Sequence, residues 1–155
     1  MIVVPQEGAK YFIEKIFNKE DKIVLFVNNL TPKDSTNFGQ IVEPSSGCYK
    51  RITLDGEWTI YGTKAIYAHP STETFFGSLP ITNVDPYAEN VKFINCGTPN
   101  DPPWTVYGYA IKNWLTDEII WIERFEEPLI MPEWGGIVAI EPRIKLKGML
   151  APADD

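Results

Sequence analysis

Three stretches between residues 104 and 146 decide the fold: WTVYGYAIK (residues 104–112), EIIWIERF (118–125) and IVAIEPRIKL (137–146) read as successive β-strands. In the last, Val138, Ile140, Pro142, Ile144 and Leu146 share one face, while Ala139, Glu141, Arg143 and Lys145 share the other, because strand side chains alternate with period two. One face of this strand is expected in a core and the other in water. Asn113-Trp114-Leu115-Thr116-Asp117 joins the first two stretches as a hairpin loop.

Working outward, residues 64–68 and 72–76 are shorter strand candidates joined by His69-Pro70-Ser71. In residues 48–54, Cys48, Lys50, Ile52 and Leu54 alternate with Tyr49, Arg51 and Thr53 between two turn signals, Ser45-Ser46-Gly47 and Asp55-Gly56. KIVLFVN (22–28) is apolar on both sides, as a central strand is, and runs into the turn formers Asn29-Leu30-Thr31-Pro32-Lys33-Asp34-Ser35. Between residues 77 and 103 the pattern dissolves. Pro80, Pro86, Pro99, Pro102 and Pro103 each lack the amide a ladder needs, leaving 91–94 as the one pairing segment. A loop that long is where partner contacts are expected.

Residues 5–18 have a different period. Ala9, Phe12, Ile13, Ile16 and Phe17 recur at helical spacing, with Lys10, Glu14 and Lys15 elsewhere on the wheel and Pro5 in the first turn. This amphipathic helix is expected to close an open end of the β core; the alternative is a partner-binding helix. Residues 147–155 are small, polar and acidic, and read as an exposed tail.

The chain has 155 residues, enough for one domain with its own core, and 44% hydrophobic content excludes a disordered chain. Its 13 prolines and 11 glycines fall mostly between apolar runs, which favours many short strands. A net charge of −7 offers no basic stripe for phosphates, so no nucleic-acid partner is expected. The opening MIVVPQEGAK has no basic segment followed by a long apolar run, and no stretch approaches the roughly 20 apolar residues of a membrane span. No membrane partner or export by that route is expected. Cys48 and Cys96 are far apart and read as free thiols, with a disulfide as the alternative.

No catalytic, metal or cofactor site is assigned. His69 is the single histidine and sits in a turn, and Asp34, Asp85 and Asp101 lack calcium-loop spacing. Gly97 and Gly135-Gly136 have no helix start or lysine set for a phosphate. Glu123, Glu126 and Glu127 invite a glycoside-hydrolase reading, but as a cluster on one strand they are more simply a solvated face. Trp121, among isoleucines, is expected inside. Trp114 in the hairpin loop and Trp134 beside Gly135 are expected as exposed anchors, with Pro102, Pro103 and Trp104 as further partner contacts.

Two blocks carry a resemblance. The first is Leu25-Phe26-Val27-Asn28-Asn29-Leu30-Thr31-Pro32, then Glu43, then Gly47-Cys48-Tyr49-Lys50-Arg51-Ile52-Thr53-Leu54. The second is Val106-Tyr107-Gly108-Tyr109-Ala110-Ile111 with Ile120-Trp121-Ile122-Glu123-Arg124-Phe125. In order and spacing these resemble bacteriophage virion structural proteins of the capsid decoration or head-fibre kind. Two departures are Cys48, between glycine and tyrosine, and the length of the 77–103 excursion.

Pattern and resemblance together predict an antiparallel β-sandwich, jelly-roll-like, over residues 22–146, with one N-terminal helix. The resemblance implies a non-enzymatic virion protein on the capsid surface that cements capsomers, with the major capsid protein and its own copies, as a homotrimer, for partners. The alternative is a carbohydrate- or receptor-binding module of a tail or fibre, stacking a surface glycan on Trp114, Trp134 and Trp104.

Overall fold

The computed structural model describes residues 5–45, 49–61, 64–68, 73–76, 79–82, 91–95, 103–131 and 136–145. The chain is mainly β, with antiparallel pairing throughout and one helix near the N-terminus. The helix is α1 (Gln6–Ile16), and the strands are β1 (Lys22–Phe26), β2 (Ile52–Thr53), β3 (Glu57–Tyr61), β4 (Lys64–Ala68), β5 (Glu73–Phe76), β6 (Leu79–Thr82), β7 (Val91–Asn95), β8 (Trp104–Lys112), β9 (Ile119–Met131), β10 (Gly136–Ile140) and β11 (Arg143–Lys145). A four-stranded sheet runs β2-β1-β8-β9 and a three-stranded sheet β11-β4-β3; β10 pairs β7, and β5 pairs β6.

β1 is buried on both sides, as its unbroken apolar run predicts. Ile23 and Leu25, with Tyr109 and Ile111 beside them on β8, enter a core shared with Trp58, Ala65 and Tyr67 of the three-stranded sheet and Val91 and Phe93 of β7. Val24 and Phe26 point the other way. On that second face Arg124 Nη1 donates to the Leu30 carbonyl at 3.1 Å, and the 3-10 turn Phe38–Gln40 brings Phe38 against Lys112, so the loop after β1 folds back across it.

Gly108 explains why that face closes so tightly. It pairs with Phe26 on one side and Arg124 on the other, and a Cβ there would run into the Glu123 carbonyl and lie 2.5 Å from Phe26 Cζ. A glycine between two tyrosines is thus a packing requirement of three adjacent strands.

α1 closes the core end through a narrow stripe. Ala9, Ile13 and Phe17, spaced four apart, are buried, and the Phe17 ring stacks on Trp58 at 5.0 Å and 22°. Phe12 and Ile16 fall on the shoulder of that stripe and remain exposed.

The stretch 137–146 is not one strand. Its burial does alternate, with Ile140, Pro142 and Ile144 inside and Ala139 and Arg143 outside. At Glu141-Pro142, however, the ladder stops, because proline has no amide to give. The Pro142 carbonyl accepts the Tyr67 N–H at 3.1 Å, and the chain passes from β7 to β4 as β10 becomes β11. Of the strand expected over 48–54, Ile52 and Thr53 alone pair among the described residues, while the Tyr49 and Arg51 side chains bond to Glu43. β3 and β6 lie where no strand was predicted. β6 contains Pro80 and, among the described residues, pairs with β5 alone, an arrangement that leaves one side of the proline without a ladder to serve.

Candidate interaction surface

The loop between β8 and β9 holds two apolar side chains in water. Asn113 Oδ1 accepts the N–H groups of Leu115 at 2.8 Å and Thr116 at 3.2 Å, an Asx turn, and the Asn113 N–H donates to the Glu118 carbonyl at 2.9 Å. Thr116 Oγ1 accepts the Glu118 N–H at 3.2 Å. From beneath, Asp21 Oδ1 accepts the Trp114 N–H at 3.1 Å. On this frame Trp114 is 45% and Leu115 71% exposed.

Asp21 is 0% exposed, and both of its side-chain oxygens accept backbone N–H groups, as a buried polar group requires. Oδ2 accepts the Asn18 N–H at 2.8 Å, and its carbonyl accepts the Leu54 N–H at 2.8 Å. One residue thereby ties the end of α1, the turn before β3 and the β8–β9 hairpin together. The consequence is a hairpin whose backbone is held from within while two of its apolar side chains stand in water.

Two other apolar sets are exposed. Tyr11, Phe12 and Ile16 stand on α1, and Leu129 and Ile130 on β9, with Ile130 72% exposed. Between α1 and β3 lies a groove of about 620 Å³ lined in part by Tyr11, Lys15, Asn18, Leu54, Glu57 and Trp58. Its charges are mixed. Lys19 Nζ donates to Glu57 Oε1 at 3.0 Å and holds that carboxyl below its usual range.

The residues singled out from sequence separate. Trp114 and Pro103 are exposed, but Trp104 is 3% exposed and presents its ring edge-on to Tyr49 at 5.8 Å, so it is a core residue of β8 and not a surface platform. Burial follows from parity: Trp104 and Val106 share the inward face. Trp121 is partly buried against the core. Pro102, Trp134, His69, Cys48, Cys96 and residues 147–155 lie outside the described residues.

Glu123, Glu126 and Glu127 are exposed on β9. Glu123 accepts the Tyr109 hydroxyl at 2.8 Å; burial first, then this carboxylate, push the phenol above its ordinary range. Among the described residues no three His, Cys, Asp or Glu side chains gather as a metal would need, and no helix is long and apolar enough to cross a membrane.

The first motif block forms a latch. Asn28 Nδ2 donates to the Gln40 carbonyl at 2.8 Å while its Oδ1 accepts the Val42 N–H at 3.0 Å, closing the loop on itself. Glu43 then accepts Tyr49 Oη at 2.7 Å and Arg51 through Nε and Nη2 at 3.0 and 2.8 Å. The Tyr49 hydroxyl oxygen in turn accepts the Leu25 N–H at 3.1 Å; burial first, then Glu43, raise this phenol as well.

Sequence reading missed the exposed shoulder of α1, since a wheel with five apolar positions does not say which three go inside. It missed Leu115 and Ile130 because neither belongs to a period: one follows Trp114 in a loop and the other lies in the short apolar run Leu129-Ile130-Met131. Comparison of the chain with family models, curated proteins and solved structures finds no match.

Proposed function

We propose that this chain is a non-enzymatic virion structural protein that decorates a bacteriophage capsid and cements neighbouring capsomers, with the major capsid protein and its own copies in a homotrimer as partners. The observation that carries the reading is the pinned hairpin with Trp114 and Leu115 held in water. A protein whose work is adhesion needs apolar area held in advance, and this loop supplies it on a hydrogen-bonded backbone. At about 800 Å² per partner, each docked copy would add one ordinary protein interface, and symmetric copies would multiply weak contacts. The net charge of −7 keeps such a surface soluble until it docks. For the architecture we propose a jelly-roll-like β-sandwich; the core shared by the four- and three-stranded sheets supports it.

A second reading, a glycan- or receptor-binding module of a tail or fibre, is favoured by the same exposed Trp114 ring. It loses Trp104 as a platform, because that side chain is in the core.

Electron microscopy of virions with and without the protein separates the two. Density lost from the shell is the expected result; density lost only from the tail refutes the cementing role. In a capsid-binding assay Trp114→Ala is expected to weaken binding by about tenfold or more, the loss typical of a central aromatic anchor. Unchanged binding by that variant would remove the hairpin from the interface.

A further inference from the structure

In a chain of net charge −7, two cations converge on one ring and a third lies across the strand from one of them. Arg51 Cζ lies 5.3 Å and Lys112 Nζ 5.1 Å from the Phe38 centroid, and Lys22 is the direct cross-strand partner of Lys112 on that same face of the sheet. Like charges directly opposite one another disfavour strand pairing. Arg51 is neutralised by its two-point contact with Glu43. The two lysines are not matched in the same way.

Lys22 Nζ donates to Thr53 Oγ1 at 2.6 Å and has no ion pair among the described residues. Lys112 is 6% exposed, so its ammonium has been taken largely out of water, where an unpaired charge is costly. Its counter-charge is Asp117, at 3.5 Å, a separation beyond good hydrogen-bonding range. Asp117 itself sits in the β8–β9 loop, and its side chain is 80% exposed. Lys112 therefore leans on one carboxylate that is held from the solvent side, and Lys22, its cross-strand partner, has none among the described residues.

We propose that Lys22 and Lys112 form a receptor for an oxyanion, a carboxylate or phosphate group carried by a ligand or partner, and that Asp117 is the internal occupant the incoming anion displaces. The Phe38 ring places the Lys112 charge, and Thr53 positions the Lys22 amine. An oxyanion entering between them would accept hydrogen bonds from both lysines, which Asp117 at its present distance does not. Asp117 lies only three residues from Trp114, so an anion arriving beside the hairpin would reach the charged site and the apolar anchor together. The site stands independently of the capsid reading, since it rests on charge placement alone.

The test uses the full chain and the anions themselves. Lys112 and Asp117 amide resonances are followed during titration with acetate and with inorganic phosphate, against chloride at matched ionic strength. Saturable shifts with either oxyanion are expected, and which one saturates at lower concentration identifies the ligand class. Asp117→Asn is expected to tighten binding by about two- to fivefold, the worth of the exposed ion pair it removes. Lys112→Met should abolish it, and Lys22→Met, at a less buried position, should weaken it even if the first variant does not fold. Lys10→Met, on α1, should change nothing. Absence of saturation beyond chloride, or weaker binding by Asp117→Asn, overturns the proposal.

Discussion

Replacing Asp21 by alanine tests whether the hairpin is held by one buried carboxylate. The group accepts two backbone N–H bonds, from Asn18 at 2.8 Å and Trp114 at 3.1 Å, and is 0% exposed. Hydrogen bonds to a charged acceptor contribute about 1.5–3 kcal/mol each, so removing both costs about 3–6 kcal/mol. Asn18 is itself exposed, and water can take over its donor, which moves the expectation to about 3 kcal/mol. Against a domain stability of about 5–15 kcal/mol that is a large loss, yet it should leave a folded protein. Urea unfolding gives the total. Amide exchange at Trp114 gives the local part, because that N–H loses its acceptor and should exchange faster than amides in the middle of β8. A loss below about 1 kcal/mol with unaltered Trp114 exchange would refute the reasoning, since an ordinary surface substitution does as much.

Alkaline pH should unfold the protein through its tyrosines. Tyr49, Tyr67 and Tyr109 all have phenols raised from 10.0, burial being the first cause for each. The folded state keeps protons that the unfolded chain releases, so this contribution is whole below about pH 10 and falls above it by about 1.4 kcal/mol per pH unit for each tyrosine. Urea midpoints measured across that range should fall steeply, and Tyr109→Phe should remove about a third of the slope; a flat profile contradicts the burial. Gly108→Ala should cost about 3 kcal/mol or more, because its Cβ meets backbone of β9 and the Phe26 ring together and neither neighbour is free to move. A loss within about 0.5 kcal/mol would mean that the sheet yields there.

Much of the fold was legible because the strongest sequence signals were also the best-buried elements. The doubly apolar KIVLF became the buried strand β1, and the hairpin loop between β8 and β9 covers the expected Asn113–Asp117 and one residue more, Glu118. What stayed hidden depends on partners distant in sequence. Nothing in IVAIEPRIKL says that its two halves pair with β7 and β4, because alternation reports which side is wet and not which strand lies alongside. Trp58 did not read as a strand residue after Asp55-Gly56; it is held by Phe17, 41 positions earlier, and by Tyr67. Trp114 was placed outside correctly from loop chemistry, whereas Trp104 was misplaced by the prolines before it. Its own parity with Val106 was the better guide. The Lys22–Lys112 juxtaposition required a register that only the folded sheet supplies.

That register also indicates how the molecule can and cannot adhere. β9 is a 13-residue strand that, among the described residues, pairs on one side only, with β8. Such an edge would ordinarily recruit another strand. Here the ladder is interrupted midway: β9 advances from Arg124 to Leu129 while β8 steps only from Gly108 to Val106. The extra residues include Glu126, Glu127 and Pro128, two exposed carboxylates and a residue without an amide. Bulge, charge and proline are three of the means by which sheets blunt an edge, and β9 carries them at one place. Backbone pairing of copy to copy is therefore opposed where the strand is longest. What the described surface offers instead is side chains, Trp114 and Leu115 among them, on the hairpin whose backbone Asp21 holds from within.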